Sequence, residues 1–193
     1  MPDSTEKTQL KEDIDEIDLM ISDLLEAERL NNDHSVLVSE PVRFGEFVRS
    51  IAEQFSSYEG GVKIEIPDDD HNLEIDRLRI KLLITNLLNN AVRHGEANLV
   101  KVNVSFTQER GVIEVKDNGE GISAEHLNQI CEPFYRADRS RQRNTGGFGL
   151  GLYLCRLIAE AHGGSLTIKS EVTKGTHISV DLPRQASNSF QNS

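Results

Sequence analysis

Three groups of residues in this chain have types and spacings suited to chemistry. The first is Gly147-Phe148-Gly149-Leu150-Gly151-Leu152, in which alternating glycines lead into an apolar helix. Glycine lets backbone approach a ligand closely, and a helix N-terminus offers unpaired N–H groups and partial positive charge. Together they suit an anion, most often a phosphate. Read alone, the same turn is equally a flexible loop before a buried helix. The second group is Asn86, Asn90, Arg93 and His94, at steps of 4, 3 and 1. The first three share a helical face. A carboxamide oxygen is a hard ligand suited to Mg2+, which keeps several waters and takes other ligands from phosphates. An arginine one turn on pairs with the same phosphates. From this helix alone, a solvated polar face is the simpler account. The third group is Asp117-Asn118-Gly119-Glu120-Gly121. It reads as a tight turn closing a strand. It also reads as a carboxylate, acceptor-only, placed to take a hydrogen bond from the exocyclic amine of a base. Gly119 and Gly121 then let the base lie near backbone.

Between the second and third groups and the glycine turn lies a segment with no clear period. Glu132-Pro133-Phe134-Tyr135-Arg136 puts aromatics beside the base pocket, and Arg136, Arg139, Arg141 and Arg143 load the following loop with cation. Such loops are usually just solvated. Placed directly before a phosphate-type turn, this one reads as a mobile lid over a polyphosphate.

The elements that position these groups follow from pattern. The chain has 193 residues, 37% hydrophobic and 27% charged, as suits one sizeable globular domain plus an appendage. There is no apolar run long enough to span a bilayer and no secretory leader, so the expected compartment is the cytoplasm, with no membrane contact by this segment. Cys131 and Cys155 are too few and unpatterned for a disulfide scaffold or a zinc site. A net charge of −11 argues against sequence-independent nucleic-acid binding. Residues 1–31 hold ten of the acids against three bases, which separates an acidic N-terminal element from the remainder.

Within that element, from about Glu6 to Asn31, Leu10, Ile14, Ile17, Ile21, Leu24 and Leu25 form a narrow heptad stripe. So thin a stripe wants a partner helix, either in a helical hairpin or dimer bundle, or on its own domain; the strict spacing favours the first. Beyond it, Val36–Val38 reads as a short strand broken by Pro41, and Val42 to Tyr58 as a helix. Val62–Ile66 and 72–76 read as strands. Asp76 caps a helix over Arg77–His94 that ends at Gly95. Leu99–Phe106 and Val112–Val115 form a hairpin, Ser123–Ile130 a short helix and Gly149–Ala161 a helix. Leu166–Lys169 and His177–Leu182 close the chain around a Thr173-Lys174-Gly175 turn, before a polar tail expected to be disordered. This order predicts an α+β two-layer sandwich, with a mixed sheet of about five strands covered on one face by three helices.

The combination resembles the ATP-binding catalytic domain of sensor histidine kinases, in the wider family with gyrase, Hsp90 and MutL. Asn86-Leu87-Leu88-Asn89-Asn90-Ala91 is similar to its N box, and Asp117-Asn118-Gly119-Glu120-Gly121 to its first glycine box. Glu132-Pro133-Phe134-Tyr135 is similar to its F box, and Gly147-Phe148-Gly149-Leu150-Gly151-Leu152 to its second glycine box. Gly175-Thr176 is similar to its closing Gly-Thr pair. The resemblance covers residues 36–183, and the end of the acidic helix resembles the second helix of the kinase dimerisation hairpin. It implies a Bergerat fold over 34–184, a hairpin remnant over 1–33 and a tail over 185–193.

It also implies ATP and Mg2+ as cofactors. The metal would be held by Asn90 with Asn86 nearby, and Asp117 would read the adenine amine, assisted through water by Thr176. Gly119, Gly121 and Ile122 would shape the base pocket, and Tyr135 and Arg136 would stand at the base of a lid over 136–147. Gly147, Gly149, Leu150, Gly151 and Leu152 would hold the phosphates. Arg93 and His94 stand where the family has a basic residue and often a tyrosine; His94 departs from it. The implied partners are a response regulator receiver domain and, if the hairpin is complete, a second copy through the N-terminal helix.

One departure bears on mechanism. Kinases of this kind carry an acceptor histidine on the first hairpin helix, followed by an acid that acts as base. Here the histidines are His34, His71, His94, His126, His162 and His177; none is on the N-terminal helix and none precedes an acid. The expectation is ATP binding without self-phosphorylation, either as a piece of a longer membrane sensor or with an acceptor on another chain. Two alternatives stand beside this. A gyrase- or MutL-type ATPase would need a glutamate where Asn86 stands. A nucleotide-gated interaction module would dock on another kinase through the heptad helix.

Overall fold

The computed structural model describes residues 4–31, 36–137 and 148–185. In chain order they form α1 (Ser4–Asn31), β1 (Ser39–Arg43), α2 (Phe44–Ala52) and a 3-10 turn (Glu53–Phe55). Then come β2 (Val62–Glu65), β3 (Asn72–Asp76), α3 (Arg77–His94), β4 (Val100–Phe106) and β5 (Arg110–Lys116). The series ends with α4 (Ala124–Leu127), α5 (Gly151–Ala161), β6 (Ser165–Glu171) and β7 (Gly175–Pro183).

Asp76 shows how local chemistry starts the central element. Its Oδ1 accepts from the Arg79 amide at 3.2 Å, the N-cap that the sequence predicts. From there Ile80, Leu83, Ile84, Leu87, Leu88 and Ala91 run as a buried stripe along α3. They meet α5, which buries Leu154, Cys155, Ile158 and Ala159. Beneath the helices lies a five-stranded sheet in the order β2-β4-β5-β7-β6. β2 is parallel to β4 and the other neighbours are antiparallel. Alternation of side chains along a strand turns Val100, Val102 and Val104 of β4, Ile113 and Val115 of β5, and Ile178, Val180 and Leu182 of β7 to the helices. Each large aliphatic group so covered contributes roughly 1.5–3 kcal/mol. The mixed five-stranded sheet under helices is the fold that the sequence predicts. Burial pushes the thiols of Cys131 and Cys155 upward, so neither favours the reactive thiolate form.

Three segments differ from expectation, the first being the short helix expected over Ser123–Ile130, which covers only Ala124–Leu127. Val36–Val38 is not a strand; Val36 and Val38 are largely exposed. The strand is Ser39–Arg43, with Pro41 inside it, paired antiparallel with β3 in a separate two-stranded sheet. Every strand of so small a sheet is an edge, where a residue without an N–H is tolerated. The helix expected from Val42 to Tyr58 is shorter, because Val42 belongs to β1 and α2 tightens into the 3-10 turn after Ala52.

The N-terminal helix divides the two partnerships expected of it. Ala27 is only 3% exposed and Leu30 packs on the core. Glu26 accepts from Arg79 Nε at 2.7 Å, and Asn31 Nδ2 donates to the Tyr153 hydroxyl at 2.8 Å. Thus the C-terminal part of α1 docks on its own domain, against α3 and α5. Leu10, Ile14, Ile17, Ile21 and Leu24 of the stripe stay 46–61% exposed. No helix among the described residues is long and apolar enough to cross a membrane.

Candidate functional site

A cavity of about 310 Å3 opens where α3, the end of β5, the segment after α4 and the start of α5 meet, within the size range of small-ligand sites. Its wall includes Asn86, Asn90, Arg93 and His94 from α3, and Asp117, Gly121 and Ile122 from the turn after β5. Tyr135, Arg136, Gly149, Leu150, Gly151, Leu152 and Thr176 of the predicted set line the same cavity. Gly147, with Arg139, Arg141 and Arg143 and most of the expected lid, lies outside the described residues.

Asp117 ends β5 and is 6% exposed. Its Oδ1 accepts from the Gly119 amide at 2.9 Å and the Thr176 amide at 3.1 Å. Those bonds fix the carboxylate plane and leave Oδ2 available for a ligand donor. A hydroxyl network stands beside it. Ser170 Oγ accepts from the Ile122 amide at 2.8 Å and donates to the Gly175 carbonyl at 2.9 Å. Its single proton being used, the 2.9 Å contact with Thr176 Oγ1 makes Thr176 the donor. The Thr176 oxygen then keeps its lone pairs for a water or a ligand amine.

Gly119 is glycine for a different reason from the one expected. A Cβ there would lie 1.7 Å from the His94 carbonyl oxygen. The space is taken by the C-terminal end of α3, not by a ligand, and Gly119 does not line the cavity. It shapes the pocket by letting the turn lock against α3. His94 is tied into the same corner, with Nδ1 at 3.0 Å from Glu120 Oε1. Tyr135 faces the cavity with its hydroxyl 2.6 Å from His126 Nδ1; the neighbouring Phe134 is exposed.

At the opposite end, Gly149 takes φ +74, and a Cβ would meet the Tyr135 carbonyl at 2.6 Å. This turn delivers the chain into α5, whose N-cap Leu150 makes no side-chain cap. The first amides of α5 are left to the cavity with the positive end of the helix dipole. Asn86 packs under this start, 3.3 Å from the position of a Gly151 Cβ. Its Nδ2 is buried with no hydrogen-bond partner among the described residues, an orphan donor suited to an oxyanion.

Three residues on the cavity wall, Leu19, Met20 and Asp23 of α1, are absent from the sequence-based set. Nothing in a heptad stripe marks them. Burial raises the Asp23 carboxyl above its ordinary range.

Metal fits only together with phosphate. Among the described residues no group of three His, Cys, Asp or Glu is arranged to hold an ion. Asn90 offers a carboxamide oxygen, which suits Mg2+ carrying waters and phosphate oxygens.

Comparison with known proteins agrees with this geometry. A sequence model of the histidine kinase-, DNA gyrase B- and HSP90-like ATPase family matches residues 75–186, more than half of the chain. The sensor protein SrrB of Staphylococcus aureus (strain NCTC 8325 / PS 47) is 38% identical over 110 residues, 56% of this chain. The chain spans only 19% of the length of that relative. Full-length ShkA in complex with AMPPNP superimposes with a TM-score of 0.80 at 25% identity, over 95% of this chain and 39% of that one. The Acinetobacter baumannii histidine kinase AdeS has the same fold, with a TM-score of 0.78 at 20% identity, over 95% of this chain and 86% of that one. The Asp117 turn, the Asn86–Asn90 face and the glycine entry to α5 thus meet on one cavity in a chain that is similar to sensor kinases and belongs to the histidine kinase-, DNA gyrase B- and HSP90-like ATPase family.

Proposed function

We propose that the cavity binds ATP with Mg2+ and presents the γ-phosphoryl to a histidine outside this chain, from which it passes to an aspartate of a response regulator. One arrangement carries the reading: a buried carboxylate with one oxygen committed to two amides, facing across a cavity an uncapped helix start. Asp117 Oδ2 accepts from the adenine amine, and the Thr176 hydroxyl holds the water beside it. The α5 amides, the orphan Asn86 amide and Arg136 take the phosphates. Asn90 would hold Mg2+, which supplies charge neutralisation across the phosphate oxygens. Positioning and charge stabilisation are what the residues contribute. The nucleophile is an imidazole supplied elsewhere, and its new N–P bond replaces the bond from the γ-phosphorus to ADP. Asn86 is a poor base for activating water, which favours transfer over hydrolysis.

Calorimetry with Mg2+-ATP should show binding that weakens about tenfold or more in Asp117→Asn; equal binding by both proteins would overturn the adenine contact. With γ-labelled ATP, this chain should gain no acid-labile, base-stable label. Such a label would sink the separate-acceptor reading.

A further inference from the structure

The sheet face turned away from the helices carries a charge pattern that neither the core nor the cavity explains. Strand register sets Lys63 opposite Lys101, Lys101 opposite Lys116, Lys116 opposite His177, and His177 opposite Lys169. One row therefore crosses all five strands with four lysines and a histidine. The lysines are all exposed. With strands about 4.8 Å apart, the row is about 19 Å long. Like charges directly opposite each other disfavour a sheet, and relief here is partial. Lys63 pairs with Glu65 at 2.7 Å and His177 with Glu114 at 3.0 Å. Lys101, Lys116 and Lys169 form no ion pair among the described residues. In a chain of net charge −11, this is a concentrated cationic line. At its β6 end it runs into a hollow of about 250 Å3 lined by Lys116, Lys169, Lys174 and His177 together with Glu171, which pairs with Lys174 at 2.6 Å and leaves Lys116 and Lys169 as its unneutralised cations.

We propose that this row is a docking surface for a carboxylate-rich helix of a partner protein, lying across the strands with one carboxylate in the hollow. Spacing supports a helix, since side chains one turn apart stand about 5–6 Å from each other, close to the strand separation. The next row on the same face supports a narrow occupant. It reads Glu65, Asn103, Glu114, Ser179 and Thr167. It lies about 7 Å away, inside the ~8 Å screening length of physiological salt. A bilayer or a nucleic-acid duplex would press anions against Glu65 and Glu114 as well as against the lysines. A single acidic helix bears on the lysines alone.

The test uses the full chain, isotopically labelled, and an alanine-rich helical peptide with glutamates spaced one turn apart. The expected result is saturable amide shift changes confined to the row and the hollow. Binding should weaken about tenfold or more in K101E/K116E/K169E, with an unchanged melting temperature as the fold control. Equal binding of the glutamine version of the peptide, or shift changes centred on residues 136–143, would overturn the proposal. So would co-sedimentation of the chain with phosphatidylserine-containing vesicles, lost in the triple variant, without any peptide binding, which would assign the row to a lipid surface.

Discussion

His162 is a buried group whose protonation this fold resists. An amide N–H only donates, so the 3.0 Å contact from the Asp76 amide makes Nε2 an acceptor. The proton therefore sits on Nδ1, which donates to the Ile158 carbonyl at 2.7 Å. The imidazole ties the end of α5 to the cap of α3, and burial lowers its pKa below 6.5. Above pH 6.5 the folded and unfolded chains both hold it neutral, and its contribution to stability is complete. Below that value the unfolded chain takes up a proton that the folded chain refuses, so stability falls with pH by up to about 1.4 kcal/mol per unit until the lower folded value is reached. Denaturant titrations should show this slope in the parent and its loss in His162→Ala, which should also cost about 2–4 kcal/mol. Sequence alone identifies His162 only as a histidine without a following acid, because one of its partners is 86 positions away. Asp117 is legible because the Asp-Asn-Gly turn around it is local, although the Thr176 amide that also holds its carboxylate comes from 59 positions away. Ser170, which sets the Thr176 hydroxyl, is not, since it reaches across 48 positions to Ile122.

At the scale of elements, α1 was readable as a helix but not as a wall of the cavity. Its apolar period places both ends within two residues of the observed ones. The docked face is another matter. It is built from Glu26, Ala27 and Leu30, and a small alanine that permits close approach leaves no hydrophobic signature. The Glu26–Arg79 pair is nearly enclosed, with side chains 16% and 14% exposed. Losing Glu26 leaves Arg79 only its longer contact with Asp76, at 3.6 Å. Glu26→Gln should therefore loosen α1 by about 1–2 kcal/mol, seen as faster hydrogen exchange of α1 amides with the α3 amides unchanged. Equal protection of both helices would show that Ala27 and Leu30 hold the docking without the ion pair. A similar limit explains Val36–Val38, where β-branched residues suggest a strand but no strand among the described residues pairs with them. The strand forms where β3 offers partners.

Across the whole molecule, the two hairpins and the layer of helices were legible because each is a local pattern. The parallel pairing of β2 with β4 was not, since β3 and α3 intervene between the partners. Neither was the lysine row, because its members lie on five strands and become neighbours only through register. Those two faces of the sheet are joined at one peptide. Thr176 borders the nucleotide cavity, and the next residue, His177, stands in the lysine row. The Thr176 amide, moreover, is bonded to the carboxylate proposed to hold the base. The protein thereby contains a spectroscopic probe of its own occupancy. The ring resonances of His177 should move on addition of Mg2+-ATP although the imidazole does not line that cavity, and in Asp117→Asn the movement should need correspondingly more nucleotide. Observed by proton NMR, one native side chain would then read the filling of the cavity from the far side of the sheet, with no label introduced.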